Sequence, residues 1–210
     1  MGTLKVNLND RVQRAPRYTS KSVADYFANS KLEWWKPNSE YYNQQTRVIG
    51  QWLKKLNPKS VLELGSGFGR ISELLDKLPD AEFTLVDINK KALGVLGKKF
   101  PHREVVSSNI SDFAFKEKKH DLIVAVEVLV HIPDIEDLVK KIHSSLTDKG
   151  VLITSITPDT WYQANWSRTP ITHRGINERE FEDFISQYFN FIKINKSDNN
   201  QLITYLLEKK

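Results

Sequence analysis

The sequence predicts an α/β fold: a doubly wound, seven-stranded, mostly parallel sheet with an antiparallel C-terminal hairpin. The first observation is a regular alternation of short β-rich runs and helical patterns over residues 60–156. Strands connected by helices form parallel sheets with helices on both faces. The second is a glycine-rich turn directly after the first strand, at residues 65–69. The third is a final pair of β-rich runs joined by a polar turn, a pattern typical of a hairpin.

The composition is that of an ordinary globular protein. The chain has 210 residues, 40% of them hydrophobic, and no cysteine. This length and apolar content suit a single domain with its own core, and without cysteine neither a disulfide nor a thiolate metal site can form. No apolar run approaches the ~20 residues of a membrane span, and the first residues lack a secretory apolar region. We therefore expect a cytoplasmic protein with no membrane partner.

The charge is mildly basic. The net charge is +5 and the pI is about 9.2, which permits a nucleic-acid partner without favouring one. The lysines are scattered in pairs, for example at residues 54–55, 90–91 and 98–99, as on solvated helix faces. The oligomeric state is left open.

The first part of the chain, residues 1–57, is expected to be a polar tail and a helical lid, and residues 58–210 the main domain. Helical patterns cover residues 23–29 and about 39–56, the second ended by an Asn-Pro pair. Between them, Trp34 and Trp35 either pack beneath these helices or form a lid over a ligand.

The other elements follow from hydrophobic periodicity. Strands are expected at residues 61–64, 83–86, 104–107, 122–126, 151–156, 191–195 and 202–207. Helices are expected at about residues 68–78, 89–100, 134–146 and 177–188, with a short segment at 111–115 and a long loop at 157–176. Asn177 with Glu180 forms a capping-box pattern at the start of the last helix.

The glycine turn predicts a nucleotide site. Gly65, Gly67 and Gly69 alternate after the first strand and precede a helical pattern. Glycine allows positive φ and lets a ligand lie against bare main chain, while a helix start offers unpaired N–H groups. A dinucleotide fingerprint needs glycine at the sixth position of the turn, where this chain has Arg70. An ordinary βα turn with glycines for geometry alone is the plainest alternative.

With Glu63 two residues before the first glycine, the stretch reads Glu-x-Gly-x-Gly-x-Gly. This resembles the first motif of the class I S-adenosylmethionine-dependent methyltransferases. The resemblance covers roughly residues 58–157 well and the rest in layout. It implies a Rossmann-like methyltransferase fold with the last strand inserted between the fifth and sixth, S-adenosylmethionine as cofactor, and Glu63, Gly65, Ser66, Gly67 and Gly69 in its site.

Further cofactor residues are expected at the next two strand ends. Asp87 ends the second strand, where a carboxylate can accept from both ribose hydroxyls, although a helix-capping role is the alternative. The resemblance places Ile88 against adenine. After the third strand it implies an aspartate that accepts from the adenine amino group; Asn109 stands there, followed by Ile110.

The fourth strand leads into Glu-Val-Leu-Val-His-Ile-Pro-Asp at residues 127–134. This resembles the E-V-L-E-H-I-P-D stretch of methyltransferases akin to the ubiquinone-biosynthesis O-methyltransferases, and Glu127 joins the expected cofactor site. In some relatives both glutamates and the histidine bind a divalent metal. Here the second glutamate is Val130, so Glu127 and His131 offer two ligands and no metal is expected. The same gap argues against small-RNA 2′-O-methyltransferases.

Two histidines are candidate proton acceptors. His131 lies just beyond a strand's carboxyl end, where open α/β sheets bind ligands, and a histidine can take a proton near neutral pH. The alternative is a histidine that bonds to backbone at a helix start. His173, with Arg174, lies in the long loop that often faces substrate in this fold.

Large aromatic side chains suggest a pocket for a small molecule. They are concentrated in two segments that normally cover the pocket of this fold, with Arg174 beside the second. The expected substrate-binding residues are Trp35, Trp161, Tyr162, Trp166 and Arg174. We expect methyl transfer from S-adenosylmethionine to an O or N atom of a small-molecule acceptor by in-line displacement. A methyltransferase acting on RNA or protein, and a non-catalytic or NAD-binding Rossmann protein, are the alternatives.

Overall fold

The computed structural model describes residues 20–29, 40–78, 80–115, 118–160 and 175–210. Its centre is a seven-stranded sheet in the order β3-β2-β1-β4-β5-β7-β6. The strands are β1 Ser60–Leu64, β2 Glu82–Asp87, β3 Glu104–Ser107, β4 His120–Ala125, β5 Leu146–Ile156, β6 Phe189–Lys196 and β7 Ile203–Lys209. β7 pairs antiparallel with both β5 and β6, and all other pairs are parallel. The predicted fold class is confirmed, including the last strand between the fifth and sixth.

The described helices are α1 Ser20–Asn29, α2 Glu40–Leu53, α3 Ser72–Leu75, α4 Lys90–Lys99, α5 Ile135–Ser145 and α6 Glu178–Ile185. Three begin at side-chain caps, which satisfy backbone N–H groups that have no partner inside the helix. Asn89 caps α4, Asp134 caps α5 and Asn177 caps α6 by accepting from the N–H of Glu180. The predicted cap at Asn177 is confirmed.

The helix expected at residues 68–78 is wrong in extent, because regular helix covers only Ser72–Leu75. The glycines explain the difference. Gly67 has φ of 51° and Gly69 has φ of 92°, and a left-handed residue cannot continue a right-handed helix. The chain therefore makes a longer turn than the sequence indicates. The helix expected to reach residue 188 also ends early, at Ile185.

Apolar side chains pack on both faces of the sheet. Successive residues of a strand point to opposite faces, and the core divides accordingly: Val61 packs with Ile49 of α2 and Leu96 of α4, whereas Leu62 packs with Leu138 of α5 and Phe181 of α6. The doubly wound arrangement is therefore confirmed. It directs the carboxyl ends of β1, β2 and β4 toward one edge. Within the described ranges, no helix combines the length and apolar character needed to cross a membrane.

Candidate functional site

A cleft of about 180 Å³ opens at the carboxyl ends of the central strands. The strand order reverses between β1 and β4, and open α/β sheets bind ligands at such a switch point. The cleft brings together most of the residues predicted for the cofactor and one predicted for catalysis. These are Gly65, Gly67, Asp87, Ile88, Asn109, Ile110, Glu127 and His131.

The glycine turn is fastened to the end of β2. The N–H groups of Gly65 and Ser66 both donate to the carbonyl of Val86, at 2.8 and 3.1 Å, and the Ser66 hydroxyl donates to the same oxygen. Gly65 has φ of 70°, and a Cβ on it would approach Val128 Cγ2 to 2.6 Å. A Cβ on Gly67 would meet no protein atom within 4 Å. The turn thus leaves open space over bare main chain at the wall of the cleft.

Glu63, Ser66 and Gly69 do not line the cleft, although the resemblance implied that they hold cofactor. A Cβ on Gly69 would lie 2.8 Å from Leu96 Cδ2, so this glycine permits close packing of the turn on α4. Ser66 is buried and bonded to β2. Both residues shape the turn rather than face the space within it.

Glu63 also has a partner inside the protein. It is 3% exposed and accepts a hydrogen bond of 2.6 Å from the Ser72 hydroxyl. Burial raises the pKa of this carboxyl to about 8, against smaller opposing effects of the Ser72 bond and of the Arg70 charge. Glu63 therefore connects β1 to the start of α3 beneath the turn.

Asp87 faces the cleft and organises it. Its Oδ2 accepts from the N–H of Gly67 at 2.7 Å, and its Oδ1 accepts from the N–H of Asn89 at 2.8 Å. Burial raises the pKa of Asp87, and these backbone hydrogen bonds partly offset the shift. The backbone N–H of Ile88 also stabilises this carboxylate. Because a carboxylate has about four acceptor positions, Asp87 keeps acceptor capacity for a ligand hydroxyl beside these backbone contacts.

Ile88 and Ile110 provide apolar surface beside this carboxylate. Asn109 lines the same wall, and its side-chain oxygen accepts from the N–H of Ser111 while its amide nitrogen donates to Asp112 at 2.8 Å. The oxygen predicted to accept from adenine is therefore already used once, with one further lone pair left.

Glu127 stands at the end of β4 in a strained conformation. Its φ is 60°, a left-handed value that costs a non-glycine residue of order 1–3 kcal/mol and is concentrated at functional sites. The Ser155 hydroxyl donates to its Oε1 at 2.5 Å and accepts from its N–H at 2.8 Å. Burial raises the pKa of Glu127, opposed by the Ser155 bond and by the nearby Arg70 charge.

Arg70, the residue that departs from the dinucleotide pattern, connects this region to α2. Its guanidinium donates to Thr46 Oγ1 at 2.9 Å and to Gln45 Oε1 at 2.7 Å, and lies 5.0 Å from the ring centre of Tyr42. Gln45 in turn donates to Glu127 Oε1 at 3.4 Å. Sequence reasoning missed Gln45 because no local pattern relates it to Arg70.

His131 lies across the cleft in a short 3₁₀ turn, Leu129–His131. Its ring contacts the edge of Phe27 of α1, with ring centres 4.7 Å apart. Val23 and Ala24 of the same helix also line the cleft. The sequence predicted a helical lid in this segment, but it did not identify any residue of α1 as part of the site.

Several predicted residues lie outside the described ranges. They are the catalytic candidate His173 and the substrate candidates Trp35, Trp161, Tyr162, Trp166 and Arg174. Among the residues that are described, no group of three or more His, Asp or Glu side chains could hold a metal ion.

The described residues fit S-adenosylmethionine. Open main chain at Gly67, free acceptor positions on Asp87 and apolar surface at Ile88 and Ile110 match a ligand that combines a charged amino-acid portion, a ribose and an adenine. The buried carboxyl of Glu127 adds a polar group at the same edge. Nothing in this set requires a metal.

Sequence comparisons agree with the geometry. The family described as Methyltransferase domain matches residues 62–154. Trans-aconitate 2-methyltransferase from Variovorax paradoxus is 28% identical over 146 residues, which are 67% of this chain and 53% of that protein. Ubiquinone biosynthesis O-methyltransferase from Actinobacillus pleuropneumoniae is also 28% identical over 146 residues, 62% of each chain. The chain thus spans less than two thirds of the length of either relative.

The fold comparison agrees with this match. N-methyltransferase NodS from Bradyrhizobium japonicum, solved with S-adenosylhomocysteine, superimposes with a TM-score of 0.69 at 15% identity, covering 90% of this chain and 98% of that one. Residues 62–154 therefore match the methyltransferase domain family, and the chain has the fold of a methyltransferase that binds S-adenosylhomocysteine.

Proposed function

We propose that this protein transfers a methyl group from S-adenosylmethionine to an O or N atom of a small-molecule acceptor. The observation that carries the proposal is the cleft at the carboxyl ends of β1 and β2, where open glycine main chain and the Asp87 carboxylate face the same space. Two relatives support a small acceptor, since one is named for trans-aconitate and the other for ubiquinone biosynthesis.

Binding is the first task of the residues in the cleft. Asp87 would accept from the ribose hydroxyls, because Gly67 and Asn89 already fix its two oxygens in place. Ile88 and Ile110 would pack on the base. A preorganised acceptor loses little entropy when the ligand arrives, which increases affinity without further contacts.

Positioning is the second task. The cofactor, when bound, supplies a methyl group on a positively charged sulfur, which is already a good donor. Val23, Phe27 and Ile132 line the cleft and would exclude water from the reacting atoms. Alignment of two reactants can account for a large share of a rate enhancement. In this proposal the apolar residues contribute to catalysis mainly by holding the acceptor in line with the methyl group.

Proton removal is the third task, needed mainly for a hydroxyl acceptor. His131 lines the cleft, and its contact with Phe27 restricts the orientation of its ring. It is the described residue best placed to take the acceptor's proton. His173 and the aromatic residues near it remain candidates on the sequence argument alone.

The experiment is a calorimetric titration with S-adenosylhomocysteine, the reaction product, and in parallel with NAD. We expect S-adenosylhomocysteine to bind. Binding at a hundredfold excess over Kd should increase the free energy of unfolding by about 2.7 kcal/mol and so raise the melting temperature. NAD should do neither, since Arg70 occupies the sixth position of the turn. Binding of NAD without binding of S-adenosylhomocysteine would overturn the proposal.

A second titration separates small acceptors from RNA. An RNA methyltransferase should bind RNA with an affinity that falls steeply as salt increases. We expect only weak RNA binding, because the net charge is only +5 and the lysines are scattered along the chain in pairs.

A further inference from the structure

We propose that Asn89 is a positioning residue that couples the cofactor site to helix α1 above it. This inference rests on the proposed function, since it takes Asp87 as the ribose ligand. Asn89 is 1% exposed. Its backbone N–H donates to Asp87 Oδ1 at 2.8 Å, and its side-chain amide donates to the carbonyl of Phe27 at 2.8 Å. One residue thus contacts both the proposed cofactor ligand and the wall of the acceptor space.

The third contact of Asn89 explains why an amide is needed. Its side-chain oxygen accepts from the N–H groups of Lys91 and Ala92, both at 3.0 Å, and so caps α4. Serine, threonine or aspartate can cap a helix equally well. Aspartate offers no donor, and the hydroxyl of serine or threonine is shorter than the asparagine amide and uses one oxygen for both bonds. Asparagine accepts the cap bonds at one atom and donates to Phe27 from another.

The partner at Phe27 is the end of a helix. Phe27 lies within the last turn of α1, Ser20–Asn29, and the last four carbonyls of a helix have no intrahelical donor. Asn89 therefore joins the C-terminal end of α1 to the N-terminal end of α4. Because the backbone N–H of Asn89 also donates to Asp87, a change at that carboxylate can reach the end of α1 through this one residue.

Helix α1 lies outside the two apolar core clusters of the described residues. Val23 is buried, but neither apolar core cluster on the faces of the sheet contains a residue of α1. The helix instead contributes Val23, Ala24 and Phe27 to the cleft, and Phe27 contacts His131. A helix outside these clusters can change its stability without unfolding the sheet. We therefore expect the Asn89 hydrogen bond to contribute measurably to the local stability of α1.

The test compares Asn89→Ser with the intact protein by hydrogen exchange, with and without S-adenosylhomocysteine. Serine keeps an acceptor for the cap of α4 and removes the amide that donates to Phe27, and its shorter hydroxyl does not extend as far toward that carbonyl. In the wild type, ligand binding should slow amide exchange over residues 20–29. In Asn89→Ser we expect faster exchange in this segment by up to about tenfold, the effect of one neutral hydrogen bond, and no slowing when ligand binds. Calorimetry should show that the variant still binds S-adenosylhomocysteine, because the backbone N–H that holds Asp87 is retained.

The matched control is Asn177→Ser, which changes the cap of α6 in the same way at a residue that does not line the cleft. It should leave exchange over residues 20–29 unchanged. If Asn89→Ser lowers the melting temperature sharply, Asn89→Thr provides a second cap-competent variant for the same measurement. Equal ligand-induced slowing in the wild type and in the folded Asn89 variant would overturn the coupling alone. No binding of S-adenosylhomocysteine to the wild type would overturn the proposed function, and the coupling with it.

Discussion

One buried carboxyl, that of Glu63, should make stability depend on pH. Its pKa is raised from an ordinary value near 4.5 to about 8 by burial. Between these values the folded state binds more protons than the unfolded state, so its contribution to stability is complete below about pH 4.5 and is lost as pH rises through about 8. The slope reaches at most about 1.4 kcal/mol per pH unit.

The variant Glu63→Gln isolates this effect because an uncharged amide of nearly the same shape does not titrate. We expect urea denaturation to show that the wild type loses more stability than Glu63→Gln between pH 5 and pH 8. Other titrating groups contribute equally to both proteins and cancel. Parallel curves over this interval would show that Glu63 is ionised at neutral pH despite its burial.

Asp87 has a structural and a binding role, which a conservative change can separate. Asp87→Asn retains an oxygen for one of the two backbone N–H groups, from Gly67 and Asn89, but loses the charge. Hydrogen bonds to charged groups contribute about 1.5–3 kcal/mol, so we expect S-adenosylhomocysteine affinity to fall at least about tenfold. Calorimetry provides the measurement.

The control for Asp87 is Asp121→Asn. Asp121 likewise accepts from two backbone N–H groups, those of Lys59 and Ser60, but at the opposite edge of the sheet. It should lose stability with no change in ligand affinity. Equal affinities for all three proteins would show that the ribose is held elsewhere.

At the level of single residues, the sequence predicted those features that depend on neighbouring residues in the chain. Asp87 was identified from its place after a strand, and Asn177 from its spacing to Glu180, because both signals lie within a few residues of the feature. Gln45 and Ser155 were not identified. Their partner Glu127 is 82 and 28 residues away, and only the folded chain brings them together.

At the level of elements, strands β1, β2, β4 and β7 were predicted within two residues at each end, because their apolar runs are mostly buried. β5 begins at Leu146, five residues before its predicted start, and β6 was predicted although most of its residues are exposed. The helix after the glycine turn was overestimated. Its sequence, from residue 68 onward, has helical spacing, but Gly69 adopts positive φ where the turn packs against Leu96. This backbone conformation depends on tertiary packing, and hydrophobic periodicity carries no information about tertiary packing.

The connection of α2 to the glycine turn should depend on Arg70. The change Arg70→Met removes hydrogen bonds to Thr46 and Gln45 while keeping an aliphatic side chain. We expect a loss of about 2–3 kcal/mol in the free energy of unfolding, since these bonds involve a charged donor. Urea denaturation at neutral pH measures this loss.

The control for Arg70 is Arg47→Met, in α2 itself. Arg47 forms an ion pair with Glu40 whose side chains are 62% and 75% exposed, and such pairs contribute about 0–1 kcal/mol. Its loss should therefore be small. If both variants lost the same stability, Arg70 would be only another surface cation.

At the scale of the whole molecule, the alternation of strands and helices predicted a parallel sheet with helices on both faces. The position of the last strand between the fifth and sixth came from the family resemblance and not from the alternation. The sequence did not show which N-terminal residues line the cleft. The contact of Phe27 with His131 spans more than a hundred positions, and hydrophobic periodicity identifies a buried face without naming its partner.

The N-terminal segment should accordingly be dispensable for folding but not for turnover. Removing residues 1–36 deletes α1, whose residues belong to neither core cluster, together with the preceding chain. We expect the remaining protein to unfold cooperatively and to bind S-adenosylhomocysteine with moderately reduced affinity, because Asp87 and the glycine turn are retained. Methyl transfer should be lost, since the wall formed by Val23 and Phe27 no longer excludes water from the reacting atoms. Loss of cooperative unfolding would instead place α1 in the structural core, and full methyl transfer by the shortened chain would contradict the lid.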